Sequence, residues 1–212
     1  MVLYDYNKEE LDLFNKLSTP PKIQDFLNSL PFNFEKQGKK TVETCMSPRM
    51  VIRQKAAHCM EGAIFAAAAL EFHGRTPWVL DLRATAKPFD YDHVVAVFQE
   101  NGYFGAVSKT NHAVLRYREP VYASVRELVM SFFHEYFLND GRKTLREYSG
   151  PFDLSHFDKI QWRTSEKNLF EIPKHLDRVK HYPILSQKQI KNLRKADKIE
   201  IEAGRIVEWK KK

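Results

Sequence analysis

Hydrophobic positions change period several times along the chain. Leu11, Phe14 and Leu17 recur every three residues, which predicts an amphipathic helix over Lys8–Leu17. Thr19-Pro20-Pro21 should stop it, and a short helix over Ile23–Leu30 should end at Pro31. Gly38-Lys39-Lys40 reads as a polar turn and Pro48–Gln54 as a helical turn or loop. Cys59–Phe72 is a helix by composition, since Ala63 and Ala66 to Ala69 are the best helix formers, with His73-Gly74 as its stop. Strand-like segments follow at Pro77–Leu82, Asp92–Phe98 and Tyr103–Lys109. Asn101-Gly102 joins the last two as a two-residue hairpin, which pairs Phe98 with Gly105, Val95 with Ser108 and His93 with Thr110. A further strand is expected at Ala113–Arg118, and the capping box Ser124-Val125-Arg126-Glu127 opens a helix through Phe137, closed by Asn139-Asp140-Gly141. Residues 150–185 have no clean period. Ser186–Ala196 reads as a basic amphipathic helix, and Lys198–Glu202 with Arg205–Trp209 as a terminal hairpin.

This order predicts an α+β fold in which the Cys59 helix packs on a small antiparallel sheet between flanking helices. The expected divisions are a helical N-terminal segment (1–45), a core (46–150) and a basic C-terminal extension (151–212) that packs on the same domain or stands apart. With 43% hydrophobic and 13% aromatic residues in 212, there is apolar surface for a sizeable core, so disorder is excluded. The longest apolar run, Ala63–Leu70, is far short of the roughly 20 residues of a membrane helix. Met1 to Tyr6 lacks the basic and apolar regions of a secretory signal. Two cysteines make no disulfide framework, so a reduced, cytoplasmic protein is expected.

The net charge of +7 is unevenly placed. Residues 155–212 hold 15 basic and 8 acidic side chains, which leaves 19 of each before them. A basic end suits either solubility or an acidic partner, and nucleic acid has only weak support because no aromatic stacking motif accompanies the lysines.

Cys59 at the head of the Ala-rich helix, followed by a strand and then by His93 on another, is the combination with chemistry in it. A thiol is nucleophilic as thiolate. The partial positive charge and unpaired N–H groups of a helix start favour that form, an imidazole favours it further, and the same N–H groups can hold an oxyanion. Taken alone, Cys59 reads more readily as packing and His93 as a strand histidine; together they form a nucleophile and base.

The surrounding motifs resemble the transglutaminase-like branch of the papain-like cysteine enzymes, which includes arylamine N-acetyltransferases. Ala57-His58-Cys59-Met60-Glu61-Gly62-Ala63, with Gly74, Pro77 and Val79, is similar to the first motif. His93 to Phe98 with Asn101-Gly102 is similar to the second, and Phe104-Gly105-Ala106-Val107-Ser108 stands where the third has an aromatic residue and Asp. The likeness covers about Arg49 to Thr110. It implies a papain-like or transglutaminase-like core with Cys59 as nucleophile and His93 as base. The function implied is cysteine protease, amidase or acyltransferase activity on a peptide, amide or ester through a thioester. Ser108 occupies the position of the residue that orients the imidazole. Thr110, Asp90 and Asp92 are alternatives, and Asn111 has the wrong strand parity. A hydroxyl supports an imidazolium less than a carboxylate does, so the other expectation is an inactive binding module of the same fold with a basic face for an acidic partner.

Other candidates are weaker. Gln54 lies near the place of a side-chain oxyanion donor but reads more readily as a surface residue. Glu61 fits a helix-start contact, and Cys45 falls outside any motif. His58, Cys59, His93 and His112 are the available metal ligands, yet no Cys-x-x-Cys pair occurs and His134-Glu135 is not a zincin helix. No phosphate-cradling glycine loop occurs, so no cofactor is expected.

Overall fold

The computed structural model describes residues 5–37 and 40–210. The turn expected at Gly38-Lys39-Lys40 falls mainly outside them. The chain opens with α1 (Lys8–Lys16), α2 (Pro20–Ser29), the small ribbon β1 (Lys36–Gln37) and β2 (Lys40–Thr41), and α3 (Pro48–Gln54). Next come α4 (Cys59–Phe72), β3 (Trp78–Ala84), β4 (His93–Glu100), β5 (Tyr103–Val107), β6 (Arg118–Tyr122) and α5 (Val125–Phe133). The remainder is β7 (Leu145–Ser149), β8 (Phe152–Asp153), a 3-10 segment (Leu154–Ile160), α6 (Glu171–Leu176), β9 (His181–Pro183), α7 (Gln187–Lys191) and α8 (Lys198–Gly204).

The protein is α+β. Its main sheet runs β6-β5-β4-β3-β7-β9, with β8 also paired to β3, and every pairing is antiparallel. It has seven strands rather than the few expected, because residues beyond 144 extend it past β3. Helix α4, buried on every side from Glu61 to Leu70, covers one face against Val79, Val94, Ala96, Phe98 and Val107. Leu128, Val129 and Phe132 of α5 cover the other face against Leu80, Leu82, Val95 and Val97. Alanines suit α4 because small side chains let backbones approach on all sides. At Gly62 a Cβ would lie 2.3 Å from the Lys109 Cβ. Lys109 is itself buried, and its ammonium donates to the carbonyls of Leu27 (2.8 Å) and Leu30 (2.5 Å), closing the C-terminal end of α2.

The hairpin pairs Phe98 with Gly105 and Ala96 with Val107, as the two-residue loop requires. Asn101 and Gly102 both have positive φ (51° and 86°), the turn geometry that matches strand twist. Elsewhere the structure departs from the sequence pattern. Pro20 and Pro21 begin α2 rather than ending α1, because Thr19 caps the helix and proline suits the first turn. Ala113–Arg118 is mostly loop, and the strand lies at β6. Helix α5 stops at Phe133, while Tyr136 beyond it stays buried. Only α7 forms within Ser186–Ala196. The expected terminal hairpin is instead helix α8 and an extended tail: the Asp197 N–H donates to Glu200 (2.6 Å), a local cap, and Ile199 is 75% exposed with no strand beside it.

Residues 151–212 supply β8 and β9 to the main sheet and bury Trp162 completely. A buried pair ties β9 to β3: His181 Nε2 lies 2.9 Å from Asp81 Oδ2, and its Nδ1 donates to the Val179 carbonyl. Burial pushes the Asp81 carboxyl up, against the pull of His181. His181→Ala leaves that carboxyl buried without its partner and should lower stability by about 3 kcal/mol in urea denaturation. Gly62→Ala forces α4 against Lys109 and should cost about 1–3 kcal/mol by the same measurement.

Candidate active site

Cys59 is the first residue of α4 and His93 the first of β4. Helix and strand are packed together, so their leading residues meet at the end of the sheet. Cys59 remains partly exposed, and His93 is buried at 6% exposure. The Cys59 thiol stands beside both His58 and His93, and each imidazole acts to lower it. Burial alone would push this thiol up. The two imidazoles outweigh it and hold the thiol down at about 5.

His93 is oriented by a neutral relay. Its Nε2 donates to Ser108 Oγ at 2.8 Å, and that hydroxyl donates its own proton to the Leu115 carbonyl at 2.6 Å. A serine hydroxyl has one proton. With that proton given to Leu115, Ser108 must accept from His93, which places the ring proton on Nε2 and leaves Nδ1 for the sulfur. Ser108 is fixed in turn by Gln24 of α2, whose amide accepts from the Ser108 N–H (2.9 Å) and donates to its carbonyl (2.8 Å).

His58 stands on the other side of the thiol, before the helix. Its Nε2 donates to the Thr44 carbonyl at 3.1 Å and lies 3.4 Å from Glu61 Oε1. Burial alone would lower this imidazole. The Cys59 thiol and the Glu61 charge outweigh burial and raise it to about 9. Glu61 is itself fully buried and accepts from the His58 N–H (3.0 Å), the Thr44 hydroxyl (2.7 Å), the Met46 N–H (3.1 Å) and the Asn33 amide (2.9 Å). The carboxylate absent from position 108 is thus matched by one acting on the second histidine. Between about pH 5 and 9 the resting pair is a Cys59 thiolate and a His58 imidazolium.

Cys59, His93 and Ser108 therefore stand together. The other sequence candidates lie apart from the thiol or do other work. Thr110 accepts from the His112 N–H, Asn111 pins the Trp209 backbone, Asp92 accepts from the Ala84 N–H, and Asp90 accepts from the Thr144 hydroxyl. Gln54 is exposed at the end of α3, away from an oxyanion role. Cys45 is buried, and burial together with the Glu61 charge pushes its thiol up to about 12. The sequence names His58 as a possible metal ligand and as part of the first motif, not as a partner of the thiol. Its place directly before Cys59, with Glu61 three residues on, was the available signal for a second histidine at the thiol. Gln24 had no signal, being 84 residues from Ser108. Among the described residues, no three His, Cys, Asp or Glu side chains gather to hold a metal, and no helix is long and apolar enough to cross a membrane.

No protein-family model matches this chain, and no curated protein matches it.

The two charge sources at the thiol separate by mutation. Glu61→Gln should lower the His58 pKa and raise that of Cys59, whereas Ser108→Ala should loosen His93 and raise Cys59 by a smaller amount. Thiolate ultraviolet absorbance followed against pH reads both.

Proposed function

We propose that the chain is a transglutaminase-like cysteine enzyme that acts on an amide or ester carbonyl through a thioester. The observation that carries this reading is the convergence of His58 and His93 on the Cys59 thiol at the start of α4, with the thiol held at about 5. Thiolate is then the resting form at neutral pH.

The Cys59 sulfur attacks the carbonyl carbon, and the carbonyl π-electrons move onto oxygen. The Cys59 and Met60 N–H groups at the start of α4, which have no intrahelical acceptor, would hold that developing charge. Collapse of the intermediate breaks the bond to the leaving amine or alcohol, which takes the proton held by the His58 imidazolium. Water or an acceptor amine then attacks the thioester while a ring nitrogen receives its proton, which restores thiolate and imidazolium. His93, with its proton fixed on Nε2 by Ser108, presents Nδ1 as the base for this second attack, and the proton it takes passes to the neutral His58 ring to regenerate the resting pair. Water gives protease or amidase chemistry, and an amine gives acyl transfer.

A binding module without turnover is the second reading. It is favoured by one observation, the uncharged Ser108 beside His93. Iodoacetamide labelling with the modified peptides resolved by mass separates the two. Cys59 should label with a midpoint near pH 5, and Cys45 should stay unlabelled up to pH 9 in the folded protein. His58→Ala and His93→Ala should each move the Cys59 midpoint toward the ordinary thiol value of about 8.5. A Cys59 that labels only above pH 8 in the native protein sinks the enzyme reading.

A further inference from the structure

A cavity of about 180 Å³ lies between the loop after β3 and the segment after α7. It is lined by neither Cys59 nor His93. Five cationic residues line it: Arg142, Lys143 and Arg146 from one segment, Arg194 and Lys195 from the other. The rest of its lining is Thr85, Pro88, Thr144, Ile190 and Leu193, and it includes no carboxylate.

The nearby acids leave most of this charge unmatched. Asp140 pairs with Arg142 at 2.6 Å and Asp197 with Arg194 at 2.7 Å, both exposed pairs at the margin. Asp90 accepts from the Thr144 hydroxyl, behind the wall. Lys143 donates to the Arg194 carbonyl, and Arg146 to the carbonyls of Leu145 and Lys143. Among the described residues, neither these two side chains nor Lys195 forms an ion pair, although the Lys195 charge acts on Asp140 at the margin. Burial lowers the Arg146 guanidinium, with no acidic neighbour opposing it. A half-buried guanidinium usually has an anion beside it, because an unpaired charge in a concave, partly apolar wall is poorly solvated. Such a concavity also focuses positive potential inward.

We propose that this cavity is a binding site for a small phosphate ester, with Arg146 and Lys143 as its inner contacts and Arg142, Arg194 and Lys195 at its rim. The Arg146 guanidinium and the Lys143 and Lys195 ammoniums suit the several oxygens of a phosphoryl group better than a single carboxylate. The cavity accommodates one or two phosphoryl groups and is too small for a folded partner. The site is independent of Cys59, so it stands or falls apart from the thiol chemistry.

Calorimetric titration with pyrophosphate, then with inorganic phosphate, at constant ionic strength in chloride tests it on the full chain. Saturable binding at one site per chain is expected, with phosphate competing. Arg146→Gln and Lys143→Gln should each weaken pyrophosphate about tenfold, the loss of one charge-assisted hydrogen bond. Lys195→Gln, on an exposed side chain that burial does not constrain, should weaken it less, and Arg146→Lys should retain part of the affinity in a folded protein. No saturable heat with either anion would overturn the proposal, as would equal affinity in all four variants. Binding of a single-stranded oligonucleotide that pyrophosphate does not displace would reassign the surface to nucleic acid.

Discussion

A thiol whose burial opposes its own ionisation, held ionised by two imidazoles, is the constraint around which the rest of the molecule is arranged. Removing a thiolate from water is unfavourable unless positive charge and hydrogen bonds replace the lost hydration. His58 supplies the charge, because Glu61 and the sulfur together keep its proton to about pH 9. His93 also acts to lower the thiol, and its ring is set by a serine that must accept because it has already donated. Each of these groups is then held by another element: Glu61 by Thr44, Met46 and Asn33, and Ser108 by Gln24. The N-terminal helices and the segment before α3 are therefore as much a part of the site as the sheet.

The same logic explains the composition of α4. A helix that starts at the thiol and is buried all round cannot have large side chains everywhere, since β4 lies on one side and α2 and α3 on the other. Alanine satisfies this without loss of side-chain entropy, and Gly62 is required where Lys109 crosses. Lys109 in turn sits next to Ser108, so the close approach of α4 to that segment and the placement of the hydroxyl beside His93 are one packing event. Burial pulls the Lys109 ammonium down to about 8, with the Glu208 charge opposing it in part, while the ammonium donates to the Leu27 and Leu30 carbonyls.

The uneven charge acquires a different meaning in three dimensions. The basic excess of residues 155–212 left open whether that segment packs on the core; β8 and β9 are strands of the main sheet, and the His181–Asp81 pair joins the segment to its centre. The cations that converge come from both sides of the expected division: Arg142, Lys143 and Arg146 lie in the part of the chain with no net charge. Counting by segment hid this cluster, because it gathers cations from both segments.

The local physics of the chain determined much by itself. Alanine content and the His73-Gly74 stop delimited α4, Asn101-Gly102 set the hairpin register, and the order of Cys59, His93 and Ser108 identified three residues that do stand together. These depend on neighbours in sequence or on a turn only two residues long. Tertiary structure decided the rest. Ile199 and Ile201 alternate as a strand would, but no partner strand is there, and the cap at Asp197 makes them helical. Gln24 on Ser108 and His181 on Asp81 join residues 84 and 100 positions apart, where no local pattern carries information. The protonation of the thiol belongs to the same class: burial and charge act with opposite sign, and only the packed arrangement of His58, Glu61 and His93 determines which prevails.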